Sequence, residues 1–260
     1  MSECSPDAFA LAGRGDSPMN VVAVIQHTAG EYLGLMEDHL EGRRIRFQYF
    51  RPFAGGKLPE KKLPADALIL LGGGPWGAAG TRDLPTLAAE VELTRARLAE
   101  GTPVIGIGLG AQILAIAAGG RAEPAPFRFE CLEVRRTDPA ALNGYLPERF
   151  AQAIYMRDWP VPPDDADILA TDESGRVAAF RVGANSVGFT GNPGIKLGMV
   201  EDLIMEFEEV PEGAAERLEA LRDLQPRIED ELVPIMTGLV QLTALMSTPR
   251  AGQGLDIPVI

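Results

Sequence analysis

The sequence predicts a doubly wound α/β fold with a mostly parallel sheet, flanking helices and a helical extension at the C-terminus. The first observation is a set of short, unbroken apolar runs, which are typical of strands buried on both faces of a parallel sheet. The second is that segments with helical spacing or helix-forming composition lie between these runs. The third is that two of the runs end directly in glycine-rich turns. This order of strands and helices predicts a parallel sheet covered by helices.

The elements follow one another from residue 20 onwards. One strand, Arg44–Phe50, alternates apolar and polar residues. The continuous apolar strands are Val21–Ile25, Ala67–Leu71 and Pro103–Ile107. The predicted helices are Tyr32–Leu40, Leu87–Glu100 and Ala111–Ala118. The middle of the chain predicts further strands, separated by turn residues. These candidates are Glu130–Arg135, Ile168–Thr171, Val177–Val182 and Ser186–Thr190.

Composition divides the chain into four segments. They are a disordered tail at 1–18, the α/β domain at 19–198, a helical extension at 199–247 and a second tail at 248–260. The extension carries apolar residues at steps of three and four, which is the stripe of an amphipathic helix. Because proline interrupts helical hydrogen bonding, Pro211, Pro226 and Pro234 are expected to break or kink this stripe into two or three helices.

The overall charge excludes two classes of function. The formal net charge is −13 and the isoelectric point is about 4.7, whereas non-specific binding to nucleic acid or to an anionic membrane needs a basic face. No signal peptide is visible, and the apolar runs are too short to span a bilayer. With only two cysteines, a disulfide framework is excluded, so a cytoplasmic location is expected.

Two turns lie where an open α/β sheet binds its ligands, beyond the carboxyl ends of strands. They are Leu71–Pro75 and Ile107–Gly110. The second has the form of a nucleophile elbow, in which a strand runs into a helix through a tight turn flanked by glycines. The residue at the centre of such a turn projects into the pocket at the N-terminus of the helix, where an anionic nucleophile is favoured.

The second turn resembles the elbow of class I glutamine amidotransferases. Residues 103–115 are PVIGIGLGAQILA, followed by Gly119–Gly120, and the family pattern is P-V-L-G-I-C-L-G-x-Q-x-x-A with GG shortly after. Gly73–Pro75 resembles the oxyanion loop of that family. Residues 183–194, GANSVGFTGNPG, resemble its terminal motif, N-x-x-G-x-Q-F-H-P-E. The resemblance covers about residues 20–200 and implies a flavodoxin-like fold.

The same resemblance implies that the residues of the glutaminase reaction are replaced. Gly108 stands at the position of the nucleophilic cysteine, and glycine has no side chain with which to attack. Asn192 stands at the position of the histidine and cannot act as a base at neutral pH. Gly194 stands at the position of the glutamate that orients the histidine. The positions that would still hold glutamine or its oxyanion are Gly73, Gly74, the Leu109 amide and Gln112. A surface position on the helix is the alternative for Gln112.

Other polar residues offer no complete catalytic set. Cys131 lies in a strand-like segment and is expected to be a small, partly buried residue rather than a substitute nucleophile. Asp158 resembles the acid of the family's W-H-G-D segment, with a solvated loop acid as the alternative. His27 is expected near the rim of the pocket and His39 on a solvated helix. Because the cysteines and histidines lack the paired spacing of zinc sites, no metal or cofactor is expected.

These observations favour a non-catalytic amidotransferase-like subunit that binds, stabilises or regulates a partner enzyme. An amide hydrolase or transferase with another nucleophile or a metal is one alternative, and a sensor of a glutamine-like small molecule is another. The apolar stripe of the extension is expected to be buried only against a second copy or a different subunit. The residues assigned to that interface are Ile235, Met236, Leu239, Leu242 and Leu245.

Overall fold

The computed structural model describes residues 20–60 and 64–246. The tails expected at 1–18 and 248–260 lie outside these residues, as does Cys4. The strands are β1 (Val21–Ile25), β2 (Arg46–Phe50), β3 (Ala67–Leu70), β4 (Val104–Ile107), β5 (Arg121–Glu123), β6 (Arg128–Arg136), β7 (Arg149–Met156), β8 (Trp159–Val161), β9 (Asp167–Thr171), β10 (Val177–Val182) and β11 (Ser186–Phe189). The helices are α1 (Met36–Gly42), α2 (Leu87–Ala99), α3 (Leu109–Ala117), α4 (Leu197–Glu206) and α5 (Ala214–Leu242).

Nine of these strands form one sheet in the order β2-β1-β3-β4-β11-β10-β9-β6-β7. Neighbouring strands from β2 to β11 pair in parallel. The strands from β10 to β7 extend the sheet by antiparallel pairing. The remaining strands, β5 and β8, form a separate two-stranded ribbon. The parallel central sheet with its flanking helices and a C-terminal helix confirms the predicted fold class.

The strand order reverses between β1 and β3, which is where open α/β sheets commonly bind ligands. From β1, the chain passes to β2 on one side, and then returns to β3 on the other side. This reversal is a topological switch point, because the helices that follow β1 and β3 cover opposite faces of the sheet. The segments that follow β1 and β3, residues 26–35 and 71–75, therefore line the candidate site.

Two faces of the sheet carry separate cores. On one face, α2 and α3 cover the inward side chains of β1, β3 and β4. On the other face, α1 and α5 pack against the alternate side chains of the same strands and against β6, β7 and β9. A smaller core joins α4 and α5 to β6 and β7. The buried, continuous apolar strands of the sequence are thus explained by helical cover on both sides.

Of the three prolines expected to break or kink the stripe into two or three helices, Pro211 separates two helices, whereas neither proline of α5 ends that helix. Pro226 and Pro234 both lie inside its 29 residues. A proline removes the hydrogen bond to the carbonyl four residues earlier, which here belongs to Arg222 and Asp230. Both of these residues are exposed, so the two freed carbonyls lie on the outer side of the helix. Pro211 lies before α5, in the segment that separates it from α4.

The prediction that the C-terminal stripe needs a partner for its burial is wrong. Within the single chain, Ile235, Met236, Leu239 and Leu245 are at most 3% exposed, and Leu242 is partly buried against the same core. The cover comes from β6, β7 and the turn at 141–146. Gly238 allows close contact, because a Cβ there would lie 2.6 Å from the Leu142 carbonyl oxygen. The stripe is therefore part of the main core.

Across residues 20–60 and 64–246, none of the helices combines the length and the apolar character that crossing a bilayer requires.

Candidate functional site

The turn between β4 and α3 has the backbone of a nucleophile elbow. Gly108 adopts φ 56° and ψ −113° and directly precedes α3, and its amide donates to the Phe189 carbonyl oxygen of β11 at 2.9 Å. A positive φ is easy for glycine and costly for other residues. A Cβ at this position would have room, since its nearest neighbour is the Cα of Gly72 at 3.5 Å. The elbow thus has room for a Cβ and carries no side chain.

The glycine-rich turn after β3 packs directly on this elbow. A Cβ on Gly73 would lie 2.3 Å from the Cδ2 atom of Leu109, so only a glycine allows this approach. Gly72, Gly73, Gly74 and Leu109 are all buried. The structure therefore brings together the proposed oxyanion loop and the side chain of Leu109 at the elbow.

A carboxylate of the chain itself occupies the loop. The Gly74 amide donates to the Glu31 Oε2 atom at 2.7 Å, and Glu31 is 4% exposed. Its Oε1 atom would lie only 1.9 Å from a Cβ on Gly72. Burial raises the pKa of Glu31 to about 7; the Gly74 amide and the charge of His27 oppose this rise, and the charge of Glu206 adds to it. The Gly74 amide, which the resemblance assigns to substrate, thus has an intramolecular acceptor.

His27, which was expected near the rim of the pocket, is buried in an ion pair and lines a cavity together with Phe53 and Trp76. Its Nε2 atom lies 2.7 Å from the Glu90 Oε2 atom, and its Nδ1 atom lies 3.0 Å from each of two carbonyl oxygens, of Leu71 and Gly72. All these partners are acceptors, so both ring nitrogens act as donors in the imidazolium form. Burial opposes protonation, but Glu90 and the surrounding acceptors outweigh it and raise the pKa of His27.

At the two other replaced positions, Asn192 and Gly194 make contacts that hold the fold together. The side-chain Oδ1 atom of Asn192 accepts from the backbone amide of Gly194 at 2.9 Å. The backbone amide of Asn192 donates to the Ala153 carbonyl oxygen at 3.0 Å. Gly194 packs under α1, where a Cβ would lie 2.6 Å from the Met36 Cγ atom. Its carbonyl oxygen also accepts from the Leu35 amide at 2.8 Å. The start of α1 therefore occupies the space that a side chain at 194 would need.

Gln112 is buried inside the molecule, so the alternative of a surface position is wrong. Its Nε2 atom donates to the Arg157 carbonyl oxygen at 2.7 Å. Its Oε1 atom is buried and has no hydrogen-bond partner among the described residues. The side chain fixes the segment after β7, and its hydrogen bonds among the described residues go to Met156 and Arg157 rather than to the glycine-rich loop.

Asp158 is a buried structural acid, which corrects the expectation of a solvated one. It is 1% exposed and adopts φ 62°. Its carboxylate accepts from the amides of Ala78 and Ala79 at 3.0 Å and from the Ala125 amide at 3.2 Å. Because buried carboxylates need several donors, we assign Asp158 the role of joining residues 78–81 to the segment before β6.

Cys131 offers no activated thiol. It is partly buried in β6, and burial raises its pKa to about 11, although the charge of Arg217 opposes the rise. A nucleophilic cysteine needs a lowered pKa.

His39 is partly buried on α1 beside Arg43. Its burial and the positive charge of Arg43 both lower the pKa of His39. Among residues 20–60 and 64–246, no group of three or more histidines, cysteines, aspartates and glutamates could hold a metal ion.

The raised pKa of Glu31 predicts a pH-dependent difference in stability. An acid whose pKa rises on folding stabilises the folded state while it is protonated, and this contribution is lost as the pH rises from the ordinary value of 4.5 through about 7. Glu31→Gln cannot ionise and keeps an acceptor for the Gly74 amide. We expect urea unfolding to show the variant gaining stability over the wild type between about pH 5 and about pH 8.

The matched control is Glu201→Gln, at an exposed position of α4. Its stability difference from the wild type should stay nearly constant over this pH range. A Glu31→Gln difference that is equally flat would show that Glu31 is ionised throughout.

Comparison with known proteins agrees with this geometry. The profile of the family described as glutamine amidotransferase class-I matches residues 49–188. A glutamine amidotransferase of Methylobacillus flagellatus superposes with a TM-score of 0.73 at 22% identity, covering 87% of this chain and 96% of that chain. A glutamine amidotransferase of Thermotoga maritima gives 0.73 at 23% identity, covering 87% and 99%.

A third solved structure is less similar. A chain of the PurLQS structure from Thermotoga maritima superposes with a TM-score of 0.55 at 15% identity, covering 86% of this chain and 99% of that chain. At these identities the solved structures show the fold alone. The search of curated proteins gives no match.

Proposed function

The chain belongs to the class I glutamine amidotransferase family, and we propose that it is a non-catalytic member that binds, stabilises or regulates a partner enzyme. One observation carries the proposal. Gly108 stands at the elbow with the backbone of a nucleophile position and room for a Cβ, but it has no side chain with which to form a covalent intermediate.

Two further contacts support the loss of the glutaminase reaction. The Asn192 side chain is engaged by the Gly194 amide, and an amide group does not accept a proton at neutral pH. Met36 occupies the space beside Gly194, so a glutamate could not stand there without moving α1. Restoring the missing side chains would therefore require changes in the packing as well as in the sequence.

The rival proposal of a sensor uses the glycine-rich loop. A glutamine-like ligand would bind the amides of Gly73, Gly74 and Leu109 and the side chain of Gln112. The contact between Gly74 and Glu31 argues against this proposal, because a ligand would have to displace a buried carboxylate. Thermal unfolding with glutamine, glutamate and γ-glutamyl amides distinguishes the two, since only a sensor is stabilised by one of these compounds.

The rival proposal of an enzyme needs another nucleophile. Cys131, with a pKa of about 11, is almost entirely protonated at neutral pH. We therefore favour the non-catalytic subunit over an amide hydrolase that uses this thiol. The expected location is the cytoplasm, which rests on the low cysteine content of the sequence.

A partner would need a surface other than the five buried residues of the C-terminal stripe. Met205 of α4 is 76% exposed and Val210, in the following segment, is 41% exposed. Large exposed apolar side chains are characteristic of binding surfaces when they lie close together. We assign the partner surface to the end of α4 and the segment that follows it. Val233 of α5, 51% exposed, provides a comparison site.

Co-purification with three tagged forms tests this role. The wild type and Val233→Asp should retain the same stoichiometric partner, whereas Met205→Asp should lose it, because a buried unpaired charge disrupts an apolar contact. Recovery of the wild type as a monomer, by light scattering and without a stoichiometric partner from its own cells, would remove the proposed role.

A further inference from the structure

A cavity of about 320 Å³ lies beyond the carboxyl ends of β1, β2 and β3. Its lining includes His27 after β1, Phe53 after β2, Trp76 after the glycine-rich turn, and Leu84 and Thr86 before α2. Ligands of open α/β sheets bind at this end of the strands. Small-molecule sites measure roughly 300–1,000 Å³ and are lined mainly by apolar and aromatic side chains. Position, size and lining therefore all match a site for a small ligand.

The cavity is separate from the positions that the family resemblance assigns to glutamine. Gly73, Gly74, Leu109 and Gln112 are not among the residues that line it. It is nevertheless adjacent to the glycine-rich turn, because the Trp76 amide donates to the Gly73 carbonyl oxygen at 3.0 Å. A ligand in this cavity would thus lie beside the glutamine positions without occupying them.

Two aromatic side chains contribute to the lining. Phe53 is 43% exposed, and Trp76 is partly buried against the core of α2 and α3. The Arg82 guanidinium lies 4.9 Å from the centroid of the Trp76 ring, but Arg82 does not line the cavity. Another part of the indole therefore faces the cavity. A ligand there would cover apolar surface of both rings, which is favourable.

The buried part of the lining is a positively charged ring whose hydrogen-bond donors are already used. His27 is 1% exposed, and its Nε2 atom pairs with Glu90. Its Nδ1 atom faces two backbone carbonyl oxygens. The hydroxyl of Thr86 donates to the same Glu90 carboxylate at 2.5 Å. What His27 offers a ligand is therefore the carbon surface of an imidazolium, and a cation of this kind attracts the electron-rich face of an aromatic ring.

The same contacts argue against charged ligands. A carboxylate or phosphate would find the donors of His27 and Thr86 taken by Glu90, and it would meet the negative charge of that residue. A cation would meet the positive charges of His27 and Arg82. Both kinds of ligand would also lose hydration in a largely apolar cavity. An uncharged ligand avoids these costs.

We propose that this cavity binds a small, uncharged, electron-rich aromatic molecule of one or two rings. The aromatic side chains Phe53 and Trp76 contact its apolar surface, and the imidazolium of His27 interacts with its ring. This site goes beyond the proposed function, since it depends neither on a partner enzyme nor on glutamine.

Calorimetric titration of the whole protein with p-cresol tests the site. This one-ring probe is uncharged at neutral pH, because a phenol has a pKa of about 10. Its saturated counterpart, p-methylcyclohexanol, keeps the size and the hydroxyl but has no aromatic ring, and p-toluate keeps the ring but is negatively charged. Phe53→Ala removes an aromatic side chain from the lining. The matched control is Tyr145→Ala, since Tyr145 is 39% exposed and does not line the cavity.

We expect p-cresol to bind once per chain with a dissociation constant of about 1 mM or lower. The saturated and the charged probes should bind at least about tenfold more weakly. Phe53→Ala should weaken the binding of p-cresol about tenfold, and Tyr145→Ala should leave it unchanged. Absence of saturable binding, equal affinity for p-methylcyclohexanol, or equal affinities of the two variants would contradict the proposal.

Tryptophan emission locates the probe independently. The chain has two tryptophans, Trp76 and Trp159, and of these Trp76 lines the cavity. Saturation with p-cresol should therefore change the emission of Trp159→Phe and leave that of Trp76→Phe unchanged. A change confined to Trp76→Phe would place the probe beside Trp159 and overturn the assignment of this cavity.

Discussion

Deletion of residues 226–260 is expected to unfold the whole chain rather than to release a folded α/β domain. The deleted part of α5 carries Leu232, Ile235, Met236 and Leu239, all of which are at most 2% exposed within the main core. Burial of each large apolar side chain contributes about 1.5–3 kcal/mol, and an entire domain is stable by only about 5–15 kcal/mol. Circular dichroism during urea unfolding should show no cooperative transition for the truncated chain.

A single substitution gives the same test with less disturbance. Leu239→Ala should lower the free energy of unfolding by about 2–5 kcal/mol, because it leaves a cavity in a packed core. Val233→Ala, on an exposed side of the same helix, should change it by less than about 1 kcal/mol. If the truncated chain unfolds cooperatively, or if the two substitutions cost the same, α5 is an appendage after all.

Gly194→Glu is expected to disrupt the fold instead of restoring a catalytic acid. Its Cβ would lie 2.6 Å from the Met36 Cγ atom and 3.2 Å from the Leu33 carbonyl oxygen. Overpacking of this kind costs about 1–3 kcal/mol, and an unpaired buried carboxylate adds several kcal/mol. Urea unfolding should show a loss for Gly194→Glu that clearly exceeds the loss for Gly194→Ala, which tests the Cβ alone.

Gly108→Ala is the matched variant at the elbow. It keeps a cooperative transition, because its Cβ has room and only the positive φ costs stability, by about 1–3 kcal/mol. The replaced positions therefore differ physically, since 108 still has space and 194 does not. A Gly194→Glu protein as stable as the wild type would show that α1 can move away and that the ancestral site could be rebuilt.

The sequence allowed the central sheet to be predicted because its strands are local patterns. Val21–Ile25 and Ala67–Leu71 are continuous apolar runs, since both faces of these strands are buried, and the structure places strands there. The strand Arg149–Met156 escaped prediction because it buries a glutamine among its apolar residues. Gln152 bonds to the Gly191 amide and the Ala178 carbonyl oxygen, which no local pattern indicates.

That missed strand also explains the mistaken interface. Without Arg149–Met156, the sheet predicted from the sequence has too little surface to cover the apolar stripe of α5. The sequence alone therefore predicts that a partner covers the stripe. In the structure, Phe150 and the turn residue Leu142 share one core with Leu239. The apolar stripe of α5 is thus a local pattern, whereas the strand that covers it is not.

The two turns of the candidate site can be predicted from the sequence, but the contacts that surround them cannot. The elbow and the glycine-rich loop follow directly from strand ends and glycine spacing. The pair His27–Glu90 and the contact between Glu31 and Gly74 join residues 63 and 43 positions apart. Glu206 reaches Ala29 across 177 positions. Such contacts depend on packing, and a single sequence carries no signal for them.

Glutamine hydrolysis by the isolated wild-type protein tests the central claim most directly. Glutamate release is measured at saturating glutamine. The Cys131→Ala variant, which lacks the free thiol of β6, is measured beside the wild type. Because loss of a catalytic nucleophile lowers turnover by about 10⁴- to 10⁶-fold, both proteins should give the rate of the buffer alone. Wild-type turnover of about 1 s⁻¹ or more, in the ordinary range for enzymes, would contradict the account. Its loss in Cys131→Ala would show that the nucleophile had moved to β6.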